Sequence, residues 1–426
     1  MPTDSADAKS DASPKMPLWA SPAFIFYIAF AVRILWILIA HTYKLKTSDD
    51  NFSFGFEMGR IGRSLASGQG FSSPFSGNTG PTAWEPPLYP FLIAAVFRVF
   101  GIYTTASAFA LLAINSFFSA LTCIPIFRIA KRCFNQSVAV WSAWSWALLP
   151  PIIFWCTRWI WETSLAALLL ALIFQLTHKL QDEEPRWKSW VLFGLLWGLT
   201  ALTNPSLLIF LPGSGLWAWR KRFQRGLPSF TGIVLSAIIF LACVTPWTIR
   251  NHAVFGRFLF IRSNLGAELR LGNGPGATGL WMDYLHPTKN PQELEKYKSQ
   301  GEIAYVAERK REAVALIKED YGRFLWLSMK RFAYYWGGLP KPQNSVASNL
   351  ARNALYSASS LLAFWGLLLA LKRKEFAAGL FFWLILLCPL VYYFVFTHPR
   401  YRHPIEPELL ILMAYAICEF KRPKSA

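Results

Sequence analysis

The sequence predicts an all-α membrane protein with about ten transmembrane helices and interfacial helices in its outer loops. Three observations predict it. Of 426 residues, 54% are hydrophobic and 16% charged, where a soluble chain would carry about 25% charged. Apolar runs near the roughly twenty residues needed to cross a bilayer core recur along the chain. The net charge of +19 comes from short basic clusters between those runs, which suits an anionic membrane surface and topology control. No basic domain stands apart from the apolar segments, so the charge does not point to a nucleic-acid partner.

Candidate spans lie near 19–41, 106–127, 137–155, 163–179, 189–203, 205–219, 228–247, 354–371, 377–396 and 405–419. The first follows a polar tail (1–18) and lacks a small-x-small cleavage site, so it reads as an uncleaved anchor. An even number of spans places both termini on one side. Basic clusters follow the second span (Arg128, Lys131, Arg132), the fourth (Lys179, Arg186, Lys188), the sixth (Arg220, Lys221, Arg222, Arg225) and the eighth (Lys372, Arg373, Lys374), and close the chain (420–426). All fall on one face, the cytoplasmic one, if segment 86–100 does not cross. Pro86, Pro87 and Pro90 suit a helix start. Arg98 and the short apolar length suit a helix in the interface.

The domain plan is then an N-terminal membrane core (19–247) with a first outer loop at 42–105, a second outer region at 248–353, and C-terminal spans at 354–419. In the second outer region, 302–319 has amphipathic helical spacing. The following aromatic stretch, Phe324 to Trp336, reads as an interfacial helix. The six cysteines are scattered in apolar surroundings without metal or disulfide spacing and read as packing residues.

Chemistry concentrates on the outer side. Asp49, Asp50 and Glu57 precede or lie on a short helix expected from Ser53 to Ser67, where Glu57, Arg60, Ile61 and Ser64 would share a face. Glu85 precedes Pro86-Pro87, and Glu162 opens the fourth span among tryptophans beside Arg158. Each acid could be a solvated helix-start carboxylate, and Glu162 could pair structurally with Arg158. Acids at bilayer level are nonetheless costly and tend to be functional. Arg250 and Arg262 follow the seventh span, and Arg400-Tyr401-Arg402-His403-Pro404 precedes the tenth. Outer arginines are not topology signals. Their forked donors suit a lipid phosphate, and headgroup snorkelling is the plainer alternative. The glycine run 272–279 reads as a turn rather than a phosphate loop. His398 and His403 do not have helical metal-pair spacing.

On these residues the chain resembles the GT-C glycosyltransferases of the family-39 type, which include protein O-mannosyltransferases and the lipid A aminoarabinose transferase. The resemblance rests on the first-loop acids, Leu65-Ala66-Ser67-Gly68-Gln69-Gly70, Pro86-Pro87-Leu88-Tyr89-Pro90, Glu162 and Arg400-Tyr401-Arg402-His403-Pro404. It covers most of the chain and is strongest over 49–165. It implies a sugar donor on a polyprenyl phosphate and a glycan, lipid or protein acceptor at the outer face of the plasma (inner) membrane. A first-loop acid would be the catalytic base. Members of the family usually carry an acidic pair directly before the loop helix. Here Asp49-Asp50 lie several residues upstream and Glu57 lies within the helix, so Glu57 is the favoured base and Asp50 the second.

In that reading Glu57, Asp50, Asp49 and Glu162 are the catalytic candidates. Glu85, Tyr89, Arg158, Arg250, Arg262, Arg400, Tyr401, Arg402 and His403 are the candidates for substrate binding. Glu162 could orient the acceptor or join a divalent metal ion with a loop acid. The competing class is a multi-spanning transporter or lipid-linked glycan flippase. Such a protein should place charges or broken helices at mid-membrane, often in repeated halves, whereas here the acids cluster at one interface.

Overall fold

The computed structural model describes residues 17–47, 51–182, 187–340 and 345–420. Helix dominates, and an isolated bridge between Ser72 and Pro81 is the one paired extended segment among them. The membrane core begins with α1 (Pro22–Ile39). Two outer-loop helices follow, α2 (Glu57–Ala66) and α3 (Leu88–Phe100). The core continues with α4 (Thr105–Leu121), α5 (Cys123–Cys133), α6 (Gln136–Leu148), α7 (Pro150–Arg158), α8 (Thr163–Leu180), α9 (Trp187–Thr203), α10 (Leu211–Phe223) and α11 (Phe230–Phe255). The second outer region holds α12 (Leu265–Asn273), α13 (Pro291–Gln300), α14 (Glu302–Glu319) and α15 (Tyr321–Gly337). The chain returns through α16 (Val346–Lys372), α17 (Ala378–Leu387), α18 (Leu390–Phe394) and α19 (Glu406–Phe420).

By length and composition, α1, the continuous α4–α5 pair, α8, α11 and α16 can cross a membrane, and α6 with α7, bent by 46°, forms either a broken sixth span or a re-entrant loop. The other expected spans coincide with shorter helices: α9, α10, α19, and the α17–α18 pair interrupted at Pro389. The amphipathic stretch 302–319 is α14, and the aromatic stretch lies within α15.

The bend between α6 and α7 explains a charge inside the first span. Pro150 and Pro151 lack N–H groups, so the carbonyls of Trp146 and Ala147 lose their usual helical donors. Arg33 of α1 supplies replacements, donating to Trp146 O at 3.0 Å and to Ala147 O at 2.9 Å, with a further bond to Ser119 Oγ at 3.2 Å. Its side chain is fully buried. In a bilayer core no water can satisfy such carbonyls, so the arginine and the diproline form one unit.

The first-loop helix starts later than its sequence suggests. A 3-10 turn, Phe52–Phe54, comes first, and α2 opens at Glu57. The break falls at Gly55 (φ 89°) and Phe56 (φ 53°). Gly55 sits so close to the chain before α8 that a Cβ there would lie 2.5 Å from Ile160 O. Ile160 N donates to Ser53 O at 3.1 Å in the same contact. This tertiary contact ends the 3-10 turn and leaves the bulky Phe56 in a strained conformation beside it.

One further contact fixes the outer region to the first loop, and another packs it on the stretch after α18. Buried Glu302, at the start of α14, accepts from Ala83 N (2.8 Å), Ser263 Oγ (2.7 Å), Tyr297 OH (2.8 Å) and the Thr82 hydroxyl. The expected turn at 272–279 is helical over its first two residues, because α12 runs to Asn273. Gly272 is needed there for packing, since a Cβ would lie 1.6 Å from Val395 O.

Candidate active site

A cavity of about 410 Å³ lies where the first loop, the start of α8, the α9–α10 junction, the outer region and the stretch before α19 converge. Four carboxylates line it, from Glu57, Glu85, Glu162 and Glu268, with the guanidinium groups of Arg262 and Arg400. Aromatic side chains, including Trp84, Trp161, Trp281 and Tyr401, complete the wall. The volume and the mixture of apolar surface with a few convergent polar groups suit a small-molecule site.

Glu57 is the first residue of α2 and is buried at 5% exposure. Burial pushes its carboxyl up to about 7; Arg60, its own backbone N–H and Arg400 pull against the rise, and Glu268 adds to it. A carboxyl poised there exchanges protons near neutral pH, as a general base should. Its Oε1 lies 3.3 Å from His286 Nε2. Arg60, one turn along, donates to Pro74 O (3.3 Å) and Thr288 Oγ1 (3.2 Å), so the buried face of α2 docks on the 286–288 turn.

Glu85 stands at the end of the Thr82–Glu85 segment that Glu302 anchors. Arg262 Nη2 lies 3.9 Å from both Glu85 Oε2 and Glu268 Oε1. Burial raises Glu85 to about 8 despite Arg262, and neighbouring Glu57, Glu162 and Glu268 add to the rise. Burial likewise raises Glu268, with Arg262 and Arg400 opposing. For Arg262, burial acts against the charge, but Glu85 and Glu268 outweigh it and strengthen its hold on the proton.

Glu162 is the residue before α8, and its side chain does not cap that helix. Asn204 Nδ2 approaches its Oε1 at 3.5 Å, while the buried Oε2 has no hydrogen-bond partner among the described residues. The guanidinium carbon of Arg400 lies over Trp161, 3.6 Å from the ring centroid. This contact holds the group against the ring, and the guanidinium also hydrogen-bonds the Tyr401 side chain. Tyr401 stacks on Tyr392 at 4.4 Å, which sets the wall beside Arg400.

The structure thus brings together Glu57, Glu85, Glu162, Arg262, Arg400 and Tyr401. It places the other candidates elsewhere. Tyr89 is wholly buried and donates to Asn115 Oδ1 at 2.9 Å. Arg158 is exposed and lies over Phe154 rather than on Glu162. Arg250 holds the first loop, donating to Thr82 O (2.6 Å) and Phe71 O (2.9 Å) while stacking on Trp247. Arg402 is buried between α16 and α19, bonded to Ser359 Oγ and Ser360 Oγ and paired with Glu406. His403 is buried against Trp146. Asp49 and Asp50 lie outside the described residues. Sequence reasoning missed Glu268, His286 and Asn204. No local signal singled them out, since the same outer region also carries Asp283, Glu293, Glu302, Glu308, Glu312 and His252.

A family model for dolichyl-phosphate-mannose-protein mannosyltransferase matches residues 84–249. Among solved structures, the chain is similar to the oligosaccharyltransferase AglB from Archaeoglobus fulgidus in complex with an inhibitory peptide and a dolichol-phosphate. That match has a TM-score of 0.55 at 14% identity and covers 93% of this chain and 50% of that one. The same archaeal enzyme in complex with zinc and sulfate gives 0.52 at 13% identity, over 93% and 49%. ArnT from Cupriavidus metallidurans bound to undecaprenyl phosphate gives 0.38 at 12% identity, over 93% and 77%. No curated protein sequence matches. The chain spans about half the length of the oligosaccharyltransferase. The resemblance to GT-C glycosyltransferases of the family-39 type holds, as does the all-α membrane fold expected from it.

Proposed function

We propose that this protein is an integral membrane glycosyltransferase. It takes a sugar from a polyprenyl-phosphate carrier and passes it to a glycan, lipid or protein acceptor at the extracytoplasmic face of the membrane. The observation that carries this reading is the meeting of Glu57 and Arg400 at one cavity. The family model points the same way, and the archaeal structure of the same fold binds a dolichol-phosphate.

In the proposed reaction an acceptor hydroxyl or amine attacks the anomeric carbon while Glu57 takes its proton. The bond from that carbon to the carrier phosphate breaks, and its electron pair leaves with the phosphate. Arg400, with Arg262 nearby, stabilises the charge gathering on the departing oxygen. Glu162 has a free buried oxygen with which to orient the acceptor, and the aromatic wall supplies faces for the sugar ring and excludes water. A divalent metal would need a ligand set, and among the described residues no three His, Cys, Asp or Glu side chains come together to form one. No step is therefore assigned to a metal.

The test is transfer from radiolabelled polyprenyl-phosphate sugars by purified protein, with Glu57→Gln beside wild type. The variant should fold, bind donor and lose transfer by about a hundredfold or more. Normal turnover would remove Glu57 from the base role. Substrate flux in liposomes without turnover of any donor would favour the transporter class.

A further inference from the structure

We propose that His286 is the positioning residue for the base: its Nε2–H holds one oxygen of the Glu57 carboxylate and leaves the other for the acceptor. This rests on Glu57 being the base. Three observations fix the geometry. The imidazole Nδ1 accepts from Thr288 N at 3.2 Å, so Nδ1 carries no proton and a neutral ring must carry its hydrogen on Nε2. That Nε2 lies 3.3 Å from Glu57 Oε1. The ring cannot turn away, because Phe56, Phe75, Trp84 and Trp281 surround it, with ring centroids 5.5–6.2 Å distant.

The turn carrying His286 is itself anchored. The 286 carbonyl accepts from Lys289 N and Asn290 N at 2.9 Å each, and Arg60 ties Thr288 Oγ1 to α2. The ring stays neutral: burial, with Arg60 and Lys289 facing it, lowers its pKa to about 3. The second outer region therefore reaches back about 230 residues to orient a carboxylate of the first loop, in the way an outer group commonly fixes the orientation of a reacting one.

Removing the donor should have two effects. Misorientation lowers kcat on the order of 10²-fold, with donor KM little changed. Losing a hydrogen bond to the charged carboxylate also raises its pKa. Because the base works deprotonated, the acidic limb of the kcat–pH profile then moves to higher pH. The other charges facing Glu57 are Arg60 on its own helix, Glu85 from the loop, Glu268 from α12 and Arg400 from the stretch before α19. All are retained in the variants below.

His286→Phe keeps the ring and deletes the donor, whereas His286→Gln restores an N–H near the Nε2 position. Phe should show the kcat loss and the shifted limb; Gln should recover most of both. A wild-type profile in the Phe variant, or an equal loss in Gln, would overturn the proposal. So would a 15N-histidine spectrum of the wild-type protein, assigned by difference from His286→Gln, that placed the ring proton on Nδ1. This last measurement needs no folded Phe variant. If Glu57→Gln itself turns over normally, the base assignment fails instead, and the two failures are told apart.

Discussion

At the scale of single residues, the site depends on which faces of its arginines are occupied. Arg400 packs over Trp161, hydrogen-bonds Tyr401 and lines the cavity. Arg402, two residues on, spends its donors on Ser359 and Ser360 and its charge on Glu406. Arg400→Gln should therefore lower kcat by about 10²–10³-fold, the usual loss when one stabiliser of a developing oxyanion is removed. Arg400→Lys should recover part of that, because it keeps the charge and loses the fork and the stacking plane. Kinetics with a lipid-linked donor decide the point, and a Gln variant altered in KM alone would assign Arg400 to ground-state binding. The sequence showed the acids Glu57, Glu85 and Glu162 because charge at a span end stands out. It could not separate Arg400 from Arg402, which are indistinguishable until the 3-10 turns between α18 and α19 send them to opposite sides. Glu268 and His286 were illegible for a different reason: only tertiary packing brings residues 262–288 back over the first loop.

At the scale of elements, apolar period and length located most of the helices, and the misses fall where one segment's backbone is satisfied by another. The start of α2 was misplaced because the break at Gly55 is dictated by Ile160, more than a hundred residues away. The α6–α7 bend has the same character, since local sequence announces Pro150 and Pro151 but not the partner that makes them tolerable. Arg33→Leu should leave the carbonyls of Trp146 and Ala147 unsatisfied and destabilise the fold by about 2–5 kcal/mol. Thermal unfolding in detergent would register this as a clear drop in Tm. The cost should shrink when Pro150→Ala and Pro151→Ala restore the helical N–H donors. A double-mutant cycle showing no coupling between Arg33 and the prolines would separate the charge from the bend.

At the scale of the whole molecule, α8 joins the two chemically distinct ends of the protein. It starts after Glu162 at the cavity and runs 18 residues, about 27 Å at the helical rise, close to a hydrocarbon core. It finishes in a basic knot, where Arg132 pairs with Asp182 and Arg222 donates to Leu180 O and Asp182 O. The acids and the basic clusters that sequence alone assigned to opposite faces are thus held apart by one membrane-length helix. The proposed orientation follows the positive-inside tendency, with the knot cytoplasmic and the cavity outward. Asp283 and Gln224 are exposed positions near the two ends. In intact cells a membrane-impermeant maleimide should label Asp283→Cys, and should reach Gln224→Cys only after permeabilisation. The opposite pattern would turn the cavity toward the cytoplasm, where soluble nucleotide sugars are available, and would take away the reason for a lipid-linked donor.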